Sequence, residues 1–178
     1  MIKIIDDFIT KYEQDQVEEI LLSDTFPWYA QMNSVDLDEK DFKEIHHYYD
    51  GPQLTHTFFN NGDINSSAYD SVKKMFHLDD LGTIIRCKAN LKYNVVGSSI
   101  DTYNKPHYDS VEDHKVAIYY VNESDGDTWI FDENEKVKER ISPKKGRMIF
   151  FDGKHLHAAS HPIKTKQRCV INIDYKNE

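Results

Sequence analysis

Positive charge is in short supply. Across 178 residues, 22 Lys and Arg stand against 31 Asp and Glu, a net charge of −9. Sequence-blind nucleic-acid binding draws most of its affinity from phosphate neutralisation, so nucleic acid is a disfavoured partner unless a local basic patch exists. Cysteine is scarcer still. Cys87 and Cys169 are the two present, each in an apolar, strand-like run, and no CxxC occurs. That pattern reads as two buried thiols in a reducing compartment. No apolar run approaches the roughly 20 residues of a membrane span. The amino-terminal MIKIIDDF has too short an apolar run for a signal peptide. The expectation is a soluble, cytoplasmic protein with no membrane partner. Internal repeats and low-complexity linkers are also missing, so one domain over 1–178 is expected.

What is abundant is aromatic. Eleven Tyr and nine Phe lift the aromatic fraction to 12%, which suits a β-rich fold. The chain changes character near residue 80. Before it, a mixed support region (1–80) carries two helical signals. In TKYEQDQVEEILLS, Thr10 and Glu13 have capping-box spacing, and Val17, Ile20 and Leu21 follow at helical intervals. In SSAYDSVKKMF, Ser66 or Ser67 can cap a stripe of Tyr69, Val72, Met75 and Phe76, with Leu81-Gly82 ending the segment. LTHTFF between them reads as a strand closed by NNGD; 35–48 carries no clear pattern. From 81 to 178 short strands follow one another: 83–91, 115–121, 128–131, 136–141, 147–151 and 168–175. The turn signals NESDGD, DENE, SPKKG and FDGK separate them. Many short strands at this spacing indicate a sandwich or jelly roll. The fold class expected is α+β, with the helices packed on one sheet of the β core.

The chemistry begins at PHYDSVEDHKVAIYYVN. His107 and Asp109 lie two apart, just before an apolar strand. On a strand, residues i and i+2 share a face, so both side chains would aim at one point. By itself HxD is a weak signal, because nine histidines make chance pairs common and His107 can be a plain turn histidine after Pro106. Downstream, FFDGKHLHAASHP offers His155, His157 and His161. Two His and one carboxylate form the facial triad that holds non-haem Fe(II) and leaves one octahedral face open. In RCVINIDY, period 2 places Arg168 with Val170, Asn172 and Asp174 on one face, and Cys169, Ile171, Ile173 and Tyr175 on the other. If that polar face lines a pocket rather than solvent, Arg168 is a bidentate carboxylate clamp.

The blocks PHYD, AIYYVN, SDGDTWIF, SPKKGRMIFFDGKHLHAASHP and RCVINIDY, in this order, resemble the Fe(II)/2-oxoglutarate-dependent oxygenases, over residues 84–175. The likeness is to the prolyl-4-hydroxylase-like branch, including small phage-encoded members; IDDFIT and FPWY add weaker support. The resemblance implies a double-stranded β-helix, a jelly-roll variant. It implies His107, Asp109 and His157 as iron ligands. His157 precedes small residues as the family's third ligand does, whereas His155 falls early and His161 close to the arginine. It implies Arg168 and Tyr120 as the groups that hold the far carboxylate of 2-oxoglutarate, with Thr128 a weaker cofactor contact. Period 2 points Tyr120 inward with Val116 and Ile118.

The reaction implied consumes dioxygen, decarboxylates 2-oxoglutarate to succinate, and hydroxylates an aliphatic C–H bond; a role for ascorbate stays open. Asp109 matters, because halogenating relatives lack that carboxylate. The implied substrate is a prolyl residue of a peptide or protein. A small metabolite or free amino acid is the alternative, and a cupin-like, non-enzymatic metal-binding module the competitor. If the protein is phage-encoded, its place is a host cytoplasm. Tyr103 has either a substrate-facing or a structural role; Lys88 and Asn90 would line the cofactor side. Trp28 and Trp129 read as packing, and His46, His47, His56, His77 and His114 lack partners at ligand spacing.

Overall fold

The computed structural model describes residues 1–32, 45, 48 and 51–177. His46 and His47, and nearly all of the unassigned stretch 35–48, lie outside the described residues. In chain order the elements are β1 Lys3–Ile5, α1 Lys11–Leu21, β2 Tyr29–Gln31, β3 Gln53–Asn60, β4 Asp63–Ile64 and α2 Tyr69–Met75. A single 3-10 turn, Leu78–Asp80, leads to β5 Thr83–Tyr93, β6 Lys115–Tyr120, β7 Thr128–Phe131 and β8 Val137–Ile141. Then come β9 Met148–Asp152, β10 His157–Ala159 and β11 Gln167–Lys176.

Two antiparallel sheets result. The larger runs β1-β9-β6-β11-β5-β3-β2, with β4 paired to β3; the smaller runs β10-β7-β8. The strands β6 and β11 explain the layering. In β6, Val116, Ile118 and Tyr120 turn inward, where they meet Ile130 of β7 and Ile141 of β8 across the sandwich. Ala117 and Tyr119 point outward and pack with Cys169, Ile171 and Ile173 of β11. Val17 and Leu21 of α1 and Tyr69 of α2 cover that outer face, as does Phe76 just beyond α2. Both faces of the central strands are therefore buried, which is why they read as continuous apolar runs rather than alternating ones. The expected α+β double-stranded β-helix, with helices on one sheet, is the architecture found. Both cysteines are buried and unpaired.

The α1 capping box forms: Thr10 N donates to Glu13 Oε2 at 2.9 Å and Glu13 N donates to the Thr10 hydroxyl at 3.3 Å. Three local expectations fail. Ile20 is exposed, and Gln14 takes the buried place, donating to the Ile9 carbonyl at 3.0 Å and packing against Gly146. The N-cap position of α2 falls on Ala68 rather than on Ser66 or Ser67; the Ser66 hydroxyl meets His56 Nε2 at 2.8 Å and accepts from Ala68 N at 3.3 Å. The HxD pair does not lie on a strand. It sits in the connection before β6, where His107 makes an isolated antiparallel bridge with His157. Strand β10 is a three-residue edge, so beyond that one bridge the 107–109 segment has no ladder to join.

Candidate iron and 2-oxoglutarate site

That bridge builds the site. His107 N donates to the His157 carbonyl at 2.9 Å, and His157 N returns the bond to the His107 carbonyl at 3.1 Å. The two imidazoles are thereby placed side by side, ring centres 4.6 Å apart. Asp109 swings in between: its Oδ2 stands 3.1 Å from His157 Nε2 and its Oδ1 3.8 Å from His107 Nε2. One ligand atom from each of the three residues lies within 4.8 Å of the others. Metal–nitrogen bonds of about 2.1 Å meeting at right angles put neighbouring ligands about 3 Å apart, so the trio has the size of a half-octahedron.

Charge at this point fits a cation. Burial works against the Asp109 carboxylate, yet His157, His107 and Arg86 around it hold its carboxyl well below the usual range. Burial, reinforced by neighbouring His157, pushes the His107 imidazole down to about 4, so it offers a free lone pair at neutral pH. Burial also opposes protonation of His157, but the Asp109 carboxylate outweighs it and the net direction is upward.

Deeper in the same cleft, a cavity of about 60 Å³, lies the second cluster. Arg168 is buried, 2% exposed. Its Nε donates to the Gly126 carbonyl at 2.7 Å and its Nη2 to the Thr128 hydroxyl at 2.8 Å. Tyr120 donates to that same Thr128 oxygen at 2.7 Å. Arg168, Tyr120 and Thr128 thus converge as one group, and Arg168 makes no ion pair among the described residues. A buried guanidinium without a carboxylate is costly, and burial presses its pKa down. An incoming carboxylate would relieve that cost. The polar face of β11 is buried, as a pocket wall: Asn172 and Asp174 are 6% and 2% exposed. Lys88 and Asn90 of β5 line the cleft with it.

The other histidines stand apart. His155 faces Lys138, with Nζ 3.3 Å from Nε2. His161 is buried against the Tyr93 carbonyl at 2.8 Å. Tyr103 is wedged between Trp129 and Phe131, with centroid separations of 5.2 and 5.3 Å, which is packing. Trp129 also lies under Arg140 and donates to Ser160. One charged residue at the site, Arg86, is missing from the sequence patterning; it joins Asp109 to Asp174 of the β11 polar face. Arg86 Nη2 donates to Asp109 Oδ1 at 2.5 Å and to Asp174 Oδ2 at 2.7 Å. Period 2 from Lys88 and Asn90 reaches Arg86 and would have flagged it. Burial and the nearby Asp109 carboxylate push Asp174 up to about 7.

A double-stranded β-helix with two His, one Asp and a buried Arg in its mouth defines the class: a non-haem iron oxygenase fold. Residues 91–175 match the family described as the 2OG-Fe(II) oxygenase superfamily. Solved structures agree on the fold. An oxidoreductase of the 2OG-Fe(II) oxygenase family from Burkholderia pseudomallei superposes with a TM-score of 0.69 at 12% identity, covering 97% of this chain and 84% of that one. The viral collagen prolyl hydroxylase of Paramecium bursaria Chlorella virus-1 gives 0.55 at 16% identity, covering 98% and 96%. The 2-oxoglutarate-dependent epimerase SnoN of nogalamycin biosynthesis gives 0.65 at 10% identity, covering 99% and 78%. No curated protein matches the sequence. The protein is a 2-oxoglutarate-dependent oxygenase that uses Fe(II) and 2-oxoglutarate, which displaces the cupin-like binding module. No helix among the described residues is long and apolar enough to cross a membrane.

Proposed function

We propose that the protein hydroxylates an aliphatic C–H bond of a prolyl residue in a peptide or protein. The observation that carries the reading is the pairing of two clusters on one cleft: His107, Asp109 and His157, and Arg168 with Thr128, to whose oxygen Tyr120 also donates. In this reading the three ligands hold Fe(II), and Arg168 and Tyr120 hold the far carboxylate of 2-oxoglutarate. The bound iron and 2-oxoglutarate supply the oxidising chemistry. The protein's residues orient the cofactor, keep the metal face open, and shield it: Ile118 and Val170 place apolar surface beside the clamp. Asp109 supplies a carboxylate where halogenating relatives have none, which supports hydroxylation. The prolyl assignment rests on the motif resemblance, supported by the near full-length overlap with the viral collagen prolyl hydroxylase.

One observation favours a second reading, a small polar metabolite or free amino acid. The cleft carries amide oxygens of Asn90, Asn104 and Asn172, each buried with no hydrogen-bond donor among the described residues. Such oxygens want donors, which a pyrrolidine ring lacks and an ammonium group has. The test is a mass-spectrometric search for a +O product with Fe(II) and 2-oxoglutarate, run over proline-containing peptides and over free amino acids. A hydroxylated prolyl peptide supports the first reading; product only from a free amino acid replaces it with the second.

A further inference from the structure

We infer that Arg86 is a positioning residue that restricts Asp109 to a single metal-facing oxygen; this rests on the ligand assignment of the proposed function. Arg86 lies on β5 directly opposite Asp174 of β11. The cross-strand pair fixes its guanidinium, with Nη2 2.7 Å from Asp174 Oδ2. The same nitrogen donates to Asp109 Oδ1 at 2.5 Å. Asp109 arrives from the connection before β6 and has no ladder of its own to hold it. Its other oxygen, Oδ2, faces His157 Nε2 at 3.1 Å and accepts weakly from Asn172 at 3.3 Å. The two oxygens are therefore unequal: Oδ1 is bonded to the guanidinium and stands 3.8 Å from His107 Nε2, whereas Oδ2 is the nearer to a ligand nitrogen, 3.1 Å from His157 Nε2.

The division matters for the open face. A carboxylate that bound through both oxygens would occupy two of six positions, leaving two rather than three for cofactor and dioxygen. Asp174 gives the device its anchor. A guanidinium held on one side by a sheet-borne carboxylate cannot follow Asp109 if that side chain rotates. Loss of Arg86 frees Oδ1 to turn toward the metal. Arg86→Lys keeps the charge and a donor nitrogen but loses the planar guanidinium, so it should preserve the division in part.

The experiment loads the protein with Mn(II) and measures water-proton relaxation, which reports how many waters the bound ion carries, with no turnover required. In the wild type we expect the enhancement of an ion with three open positions. In Arg86→Gln it should fall by about one third, as three positions become two, with Arg86→Lys between. Asp174→Asn, which removes the anchor's charge and leaves Arg86, should shift the enhancement in the same direction by less. Unchanged enhancement in a folded, Mn(II)-saturated Arg86→Gln protein overturns the inference. A merely structural Arg86 would lower the melting temperature of the variants and leave the enhancement per bound ion alone, which also overturns it. Should Arg86→Gln not fold, the Lys and Asn variants carry the comparison. Asp109→Ala is the separate control: if it binds Mn(II) as tightly as the wild type, the ligand assignment fails, whatever Arg86 does.

Discussion

Arg168 and Gly126 share one space. The Arg168 Nε donates to the Gly126 carbonyl at 2.7 Å, and a Cβ on Gly126 would lie 2.9 Å from Arg168 Cδ and 2.7 Å from the Ser160 carbonyl oxygen. Glycine at this place lets the buried guanidinium lie flat along the turn before β7. Gly126→Ala should therefore displace Arg168, with an overpacking cost of about 1–3 kcal/mol. The 2-oxoglutarate dissociation constant, measured by calorimetry on the metal-loaded protein, should rise by about tenfold or more, a shift of at least about 1.4 kcal/mol. An unchanged constant would show that Arg168 does not hold the cofactor in the position seen.

The clamp residues should differ in weight. Arg168→Ala removes a charge-assisted contact of roughly 2–3 kcal/mol, about 30–150-fold in affinity for 2-oxoglutarate. Tyr120→Phe removes one neutral donor, about 1 kcal/mol or fivefold. Thr128→Val deletes the oxygen on which both donors meet; it should cost less than Arg168→Ala and more than nothing. The same calorimetric titration checks all three. Equal affinity in wild type and Arg168→Ala rules out the clamp.

The loop that delivers Arg168 has its own acid dependence. Asp125 accepts from Ile163 N at 3.1 Å, Lys164 N at 2.8 Å, Thr165 N at 3.1 Å and the Thr165 hydroxyl at 2.7 Å. Burial opposes its charge, but these four donors prevail and hold its carboxyl at about 2. An unfolded aspartate titrates near 3.9. The unfolded chain therefore binds the proton first as pH falls, so this stabilisation is full above about pH 4 and lost toward pH 2. Asp125→Asn should melt below the wild type at pH 7, and the gap should narrow as pH falls through that window. A gap independent of pH would mean that the charge is not what the loop uses.

Much of this was legible beforehand. Strands β5, β6, β7, β9 and β11 announce themselves because their buried faces demand apolar runs, and Arg168 stood out as the charged start of such a run. Tyr120, Val116 and Ile118 share the inner face that period 2 assigns them. What escaped is made by tertiary contact. His107 and His157 meet through a bridge of one residue pair, too short to leave a pattern. Period 2 places Arg86 with Lys88 and Asn90, but its ion pair with Asp109, across 23 positions, has no local signal. Gln14 replaces an apolar residue inside because Gly146 leaves room for its amide, and β2 is three residues long with two exposed.

The ligand trio bears the whole account, and oxygen consumption tests it most directly. With Fe(II) and 2-oxoglutarate, the wild type should take up oxygen and form succinate above a protein-free control, slowly without substrate and faster with it. His107→Ala, Asp109→Ala and His157→Ala should each fall to the control while staying folded, because a facial triad has no spare ligand. His155→Ala and His161→Ala should keep uptake. Activity in His157→Ala, with His155→Ala or His161→Ala dead, would contradict the assignment of the third ligand. Wild-type uptake in Asp109→Ala would contradict the triad itself.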